Sequence, residues 1–200
     1  MSESPFADAA GTAPRVELPI TLIGFQELHA EPYFQYTLTN LGDQNLAQRL
    51  VSEVFLRLGE CWDQVLNKPN PAAYAWAALR HAVEAERARR DEHLALVERV
   101  AFSVALRLEA EPLLHDLSAS VANLEKGITL GAAILELSGA KFDVVVLRYI
   151  NGLTIARTAR AMGVDEATVR SLTSQARSKI EARLKPRRVL RPGPATHDQE

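Results

Sequence analysis

The sequence predicts an all-α protein of two small helical domains joined by a helical linker, the second domain closing on a helix-turn-helix. Three observations carry this. Apolar residues recur at three- and four-residue spacing along most of the chain between residues 25 and 184. No pair of alternating strands bounded by turn residues stands ready to form a sheet. Charge is divided: residues 137 to 191 hold twelve basic side chains against four acidic ones, a net of +8, which leaves −10 on the rest of a chain whose total is −2.

The first 19 residues, rich in Ala, Ser and Pro, read as a disordered end. Phe25 to Leu41 and Gln44 to Leu66 are apolar at helical spacing, with Leu46, Leu50, Val54, Leu58 and Val65 on one stripe. Asn67 to Pro71 interrupts the pattern. Pro71 suits a first helical turn behind an Asn70 cap, and an Ala-rich helix continues to Arg90. Leu94 to Leu108 is the most amphipathic stretch, through Val97, Val100, Ala101, Val104, Ala105 and Leu108, and a second linker helix is expected from Pro112 to Leu124. Phe142 to Ile150 contains Val144, Val145 and Val146, which favour a strand by propensity, but no partner strand is available and the segment is read as helix. The last 15 residues, with Pro186, Pro192 and Pro194, form a second disordered end.

The run from Leu147 to Ile180 is the most informative. Ile155, Ala159 and Met162 share one face of a short helix, and Val169, Leu172, Ala176 and Ile180 share one face of the next. Gly163 provides the left-handed residue that ends the first helix, while Thr154 and Asp165 stand where N-caps are needed. Spacing alone also fits an ordinary αα-corner. The basic balance of this part favours the DNA-binding form, because phosphate attraction needs such a patch. A solvated tail from Lys185 to Arg191 accounts for four of the twelve cations.

Two hundred residues, 47% of them hydrophobic, suffice for one or two small cores. The lone Cys61 makes no internal disulfide and fits a reducing, cytoplasmic setting. No signal peptide or long apolar run is present, so export and membrane spanning are not expected. His29, His81, His93, His115 and His197 are scattered without zinc spacing, and there is no Gly-rich phosphate loop. Neither an enzyme, a catalytic residue, a metal nor a cofactor is therefore expected.

Three stretches carry a family resemblance: GDQNLAQRLVSEVFLRL at Gly42 to Leu58, NPAAYAWAALRHAVEAERARR at Asn70 to Arg90, and VVVLRYINGLTIARTARAMGVDEATVRSLTSQAR at Val144 to Arg177. In order and spacing they make residues 25 to 90 resemble the N-terminal promoter-melting domain, and 137 to 184 the C-terminal domain, of the extracytoplasmic-function (ECF) sigma factors of bacterial RNA polymerase. The resemblance covers a little over half of the chain. It implies a sigma N-terminal domain at 20–91, a helical linker at 92–130, a helix-turn-helix domain at 131–185 and tails at 1–19 and 186–200.

The resemblance also implies partners and site residues. Leu50, Glu53, Val54, Phe55 and Arg57 would dock on the coiled coil of the largest subunit of core RNA polymerase, as apolar anchors within a charged rim. Tyr74 and Trp76 would stack on unpaired promoter bases, with Arg80, Arg87, Arg89 and Arg90 on phosphates. For the two aromatics a core position is an equally good reading, and the arginines also suit a helix C-terminus. Glu166, Thr168, Arg170, Ser171, Ser174 and Gln175 would read the upstream promoter element, with Arg148, Arg157, Arg177 and Lys179 on the backbone. An anti-sigma or other regulatory protein is a further expected partner, and no membrane is.

The chain departs from the family pattern at several of these places. Arg49 stands where an acidic residue is usual and Ser52 where Gln is; Leu172, Ser174 and Gln175 replace basic positions of the recognition helix; Ala72 and Ala77 replace arginines. The linker is apolar where family linkers are polar, so it is expected to pack between the domains or against a partner. These departures keep two other readings open: a stand-alone helix-turn-helix regulator, and a degenerate sigma-like interaction protein.

Overall fold

Caps supplied by the sequence mark where the helices begin. The computed structural model describes residues 19–90, Val100 and residues 124–184. The described residues form α1 (Ile20–Leu41), α2 (Gln44–Glu60), α3 (Trp62–Leu66), α4 (Pro71–Arg90), α5 (Leu124–Leu135), α6 (Ala140–Val145), α7 (Ile155–Met162) and α8 (Glu166–Leu184). Asp43 Oδ1 accepts from Leu46 N at 2.9 Å, Asn70 Oδ1 from Ala73 N at 2.9 Å, Thr154 Oγ1 from Arg157 N at 3.2 Å, and Asp165 Oδ1 from Thr168 N at 2.5 Å. Each satisfies an orphan donor of a first turn. The all-helical expectation holds among the described residues. The disordered ends and the linker helices 94–108 and 112–124 lie outside them, apart from Leu124, the first residue of α5, and Val100, which is fully buried.

Two boundaries differ from the periodicity. The first helix begins at Ile20 rather than near Phe25, and the second breaks at Cys61, after which Trp62 turns inward. The cause is tertiary. Trp62 is 3% exposed, and its Nε1 donates to Thr21 Oγ1 at 2.7 Å, tying the break to the start of α1.

The segment with three consecutive valines is helical. α6 passes into a single π-helical turn over Val146–Ile150, closed by Asn151 N donating to Val146 O at 2.8 Å. Val144, Val145, Val146, Leu147 and Ile150 are buried, and within the turn Arg148 and Tyr149 are partly exposed. An apolar helix surrounded by other helices needs no polar stripe. Each such aliphatic side chain contributes roughly 1.5–3 kcal/mol on burial, which outweighs the small helix-propensity penalty of valine.

The N-terminal helices pack around an aromatic cluster. Tyr33 stacks on Phe55 with centroids 5.7 Å apart, Trp76 meets Tyr36 edge-on at 4.7 Å, and Phe25 stacks on His29 at 4.1 Å. The C-terminal helices close around Val169, Ala176 and Ile180 of α8, which packs on α5, α6 and α7. α7 packs on α1 and α4 as well, so the apolar interior runs without a break from one half to the other.

Candidate nucleic-acid interface

Local signals set the helix-turn-helix. α7 ends at Gly163, whose φ of 66° is the left-handed conformation that a side chain resists. Val169, Ala176 and Ile180 point inward and Leu172 is half-buried against the core. The opposite face of α8 therefore lies open. Glu166, Arg170, Ser171, Ser174 and Gln175 are exposed on it, and Thr168 is partly so.

That face is already internally paired. Arg170 Nη2 bonds Glu166 Oε2 at 2.7 Å, Gln175 Nε2 bonds Ser171 Oγ at 3.1 Å, and Arg177 Nε bonds Glu181 Oε1 at 2.6 Å. Lys179 Nζ donates to the Glu136 carbonyl at 3.1 Å. Exposed pairs at i,i+4 are weak, and a phosphate displaces them at little cost. Arg157 is exposed on α7, whereas Arg148 is half-buried with its guanidinium over the Tyr149 ring at 5.6 Å.

The predicted residues of the N-terminal half fall into two groups. Leu50, Glu53, Val54 and Arg57 line a groove of about 670 Å³ between α2 and α4, shared with Tyr74, Ala78, Ala82 and Arg89. Arg57 pairs with Glu53 at 2.5 Å across the rim. Val54 forms the groove floor at 4% exposure, and Phe55 sits in the core on Tyr33. On α4, Tyr74 is exposed beneath Lys68, whose Nζ lies 5.5 Å from the ring. Arg89 pairs with Glu86 at 3.2 Å, Arg87 is half-buried and Arg90 exposed. Trp76 is a core aromatic at 5% exposure, the second of the two readings its sequence position allows.

Arg80 and Trp76 lead to a cluster that periodicity does not reveal. Asp143 of α6 is 1% exposed. Its Oδ1 accepts from Tyr36 Oη at 2.9 Å, and its Oδ2 lies 3.4 Å from Trp76 Nε1 and 2.9 Å from Arg80 Nε. The Arg80 contact is an ion pair whose angle falls short of a hydrogen bond, and the same guanidinium reaches Glu84 at 2.8 Å. Burial pushes the Asp143 carboxyl up to about 6, against the pull of Arg80, Tyr36 and Trp76 and with a small push from Glu84. The same burial and the neighbouring carboxylate push the Tyr36 phenol well above its ordinary value. Desolvation opposes the Arg80 charge, but Asp143, Tyr36 and Glu84 more than offset it and raise its pKa. The sequence does contain one signal: a single carboxylate inside the run FDVVVL has to find buried donors.

Two more polar contacts join the halves. Thr39 Oγ1 bonds Asn151 Oδ1 at 2.7 Å, and Asn70 Nδ2 donates to the Gly163 carbonyl at 2.6 Å. A single Asn70 amide thus caps α4 and holds the helix-turn-helix corner. Among the described residues no cluster of His, Cys, Asp or Glu has the makings of a metal site, and no helix is long and apolar enough to cross a membrane.

An exposed second helix on a basic helix-turn-helix is the arrangement with which DNA-binding domains place a helix in the major groove. Residues 128–180 match the family model for Sigma-70, region 4. That family is a DNA-binding helix-turn-helix domain of sigma factors, and the match on this segment supports a sigma-like role in transcription. No curated protein matches the chain.

Proposed function

We propose that the protein is a promoter-specificity subunit of the ECF sigma type, which binds core RNA polymerase and directs transcription initiation through two DNA-facing units, residues 20–91 and 131–185. The observation that carries this reading is the region 4 match on a helix-turn-helix whose recognition face is open. The α2–α4 groove supports it, because Leu50 and Val54 between Glu53 and Arg57 suit an amphipathic helix such as one strand of the largest-subunit coiled coil. In this reading Glu166, Thr168, Arg170, Ser171, Ser174 and Gln175 meet the upstream element, and Arg148, Arg157, Arg177 and Lys179 meet phosphates. Tyr74, Arg80, Arg87, Arg89 and Arg90 face the element that opens.

Transcription with purified core enzyme tests this. Promoter-dependent transcript is expected only when the protein is added. Absence of both core binding and transcript would refute it.

One observation favours a second reading. Arg49 is exposed on the docking helix where the family carries an acid, and a reversed charge opposes a basic partner. A helix-turn-helix regulator acting without polymerase would leave an operator footprint with the protein alone.

A further inference from the structure

The groove between α2 and α4 is long, apolar at its floor and uneven in charge. On α2 its lining residues recur at three- and four-residue steps from Leu46 to Cys61, which is about 22 Å or about four turns of one helix face. Val54 and Leu58 are buried there and Leu50 is half-buried. On α4 the facing positions include Ala78, Ala82 and Ala85, whose small side chains let another helix approach closely.

One end of the groove gathers cations. The Asp43 carboxylate is held below its ordinary value first by the Leu46 N–H, and the charges of Arg90 and Arg49 lower it further, so the start of α2 stands beside the end of α4. Arg49, Arg89 and Arg90 therefore meet at this end. The acids beside them are already engaged: Asp43 caps α2, and Glu86 is buried and paired with Arg89. Toward the middle Glu53 is matched by Arg57. Arg49 is exposed and makes no ion pair among the described residues.

We infer that the α2–α4 groove takes an amphipathic helix of acidic character, its apolar stripe on Leu50, Val54 and Leu58 and a carboxylate set against Arg49. The inference rests on the reading of this groove as a docking site and names the chemistry of what docks. The apolar stripe supplies affinity, and the unmatched cation supplies orientation and choice of partner. A basic helix with the same stripe brings like charge to Arg49 and is rejected for it.

The test uses the full chain and its single cysteine. Cys61 lines the groove, so its rate of alkylation by iodoacetamide reports whether the groove is filled. Two fluorescent helical peptides of about four turns are titrated, one leucine stripe flanked by Glu in the first and by Lys in the second. The Glu peptide is expected to bind and to slow alkylation, and the Lys peptide to do neither. Arg49→Glu should weaken the Glu peptide by about tenfold or more, and Arg49→Gln by less, with the unfolding transition unmoved because Arg49 is exposed. Ala82→Phe, which fills the groove without changing its charge, should abolish binding of the Glu peptide. Core RNA polymerase is then titrated with the wild type and with Arg49→Glu.

Failure of the Glu peptide to protect Cys61 overturns the inference. Equal or tighter binding of the Lys peptide, or tighter core binding by Arg49→Glu, overturns it and leaves the polymerase reading in place. Protection of Cys61 that rises with protein concentration alone assigns the groove to a second copy and overturns it as well. Binding of the Glu peptide through Arg49 with no binding of core enzyme upholds the acidic partner and refutes the polymerase reading.

Discussion

Asp143 and His29 respond to acid in opposite directions, and both are buried. Asp143 faces Tyr36 on α1 and Trp76, Arg80 and Glu84 on α4, and its folded pKa of about 6 lies above the ordinary 3.8. The stability it contributes is fully present below its unfolded pKa and is lost as pH rises through about 6. His29, stacked on Phe25, is held down to about 4, first by burial and then by the charge of Arg160. The stability from its neutral form is present above 6.5 and is lost as pH falls toward 4. The two slopes oppose each other over the same window. Wild-type unfolding free energy should therefore change little on acidification to about pH 5, whereas Asp143→Asn should lose about 1–2 kcal/mol and His29→Gln gain about 1. Urea titrations of the three proteins across that range check this, and parallel slopes in all three would contradict it.

At the scale of elements, α8, the proposed recognition helix, concentrates the functional prediction. Its cations are few and partly matched by Glu166 and Glu181, so duplex binding should carry a modest salt slope. Replacing Arg157 and Arg177 by Ala should flatten the slope of log K against log salt by about 1 for each cation removed, with little change in sequence preference. A nitrocellulose or anisotropy titration at several salt concentrations measures it. α7, its turn and α8 were legible in the sequence because their determinants are local: Thr154, Gly163 and Asp165 each act within four residues. The break in α2 at Cys61 was not, since it depends on Trp62 reaching Thr21 across the fold. Site residues divide likewise. Periodicity separates the open face of α8 from its buried stripe, and a core position for Trp76 was already one of two readings, but nothing in the sequence warns that Trp76 and Arg80 meet Asp143, because those partners lie 67 and 63 positions apart in the chain. The Asn70 cap was readable, and its second bond to Gly163 was not.

At the scale of the whole molecule, the shared interior predicts joint unfolding. Trp62 and Trp76 both lie in the N-terminal half, Trp76 at its seam with Asp143, so their fluorescence reports that half and the seam, while far-ultraviolet circular dichroism reports helices of both halves. In the wild type the two signals should pass through one coincident urea transition. In Gly163→Asn they should separate, because the corner no longer seats on α4. Two distinct midpoints in the wild type would mean that the halves fold without regard to each other.

The seam between the halves has a chemical character with its own consequence. Beside the shared apolar interior it carries a phenol, an indole and a guanidinium on one carboxylate, and separately an Asn70 amide on the Gly163 carbonyl and a Thr39 hydroxyl on the Asn151 amide. Water offers each of these groups an equivalent partner, so separating them forfeits only the modest net value of a hydrogen bond apiece. The aliphatic contacts of the shared interior have no such substitute. The polar contacts therefore fix the orientation of the halves, while the apolar ones carry most of the cost of separating them.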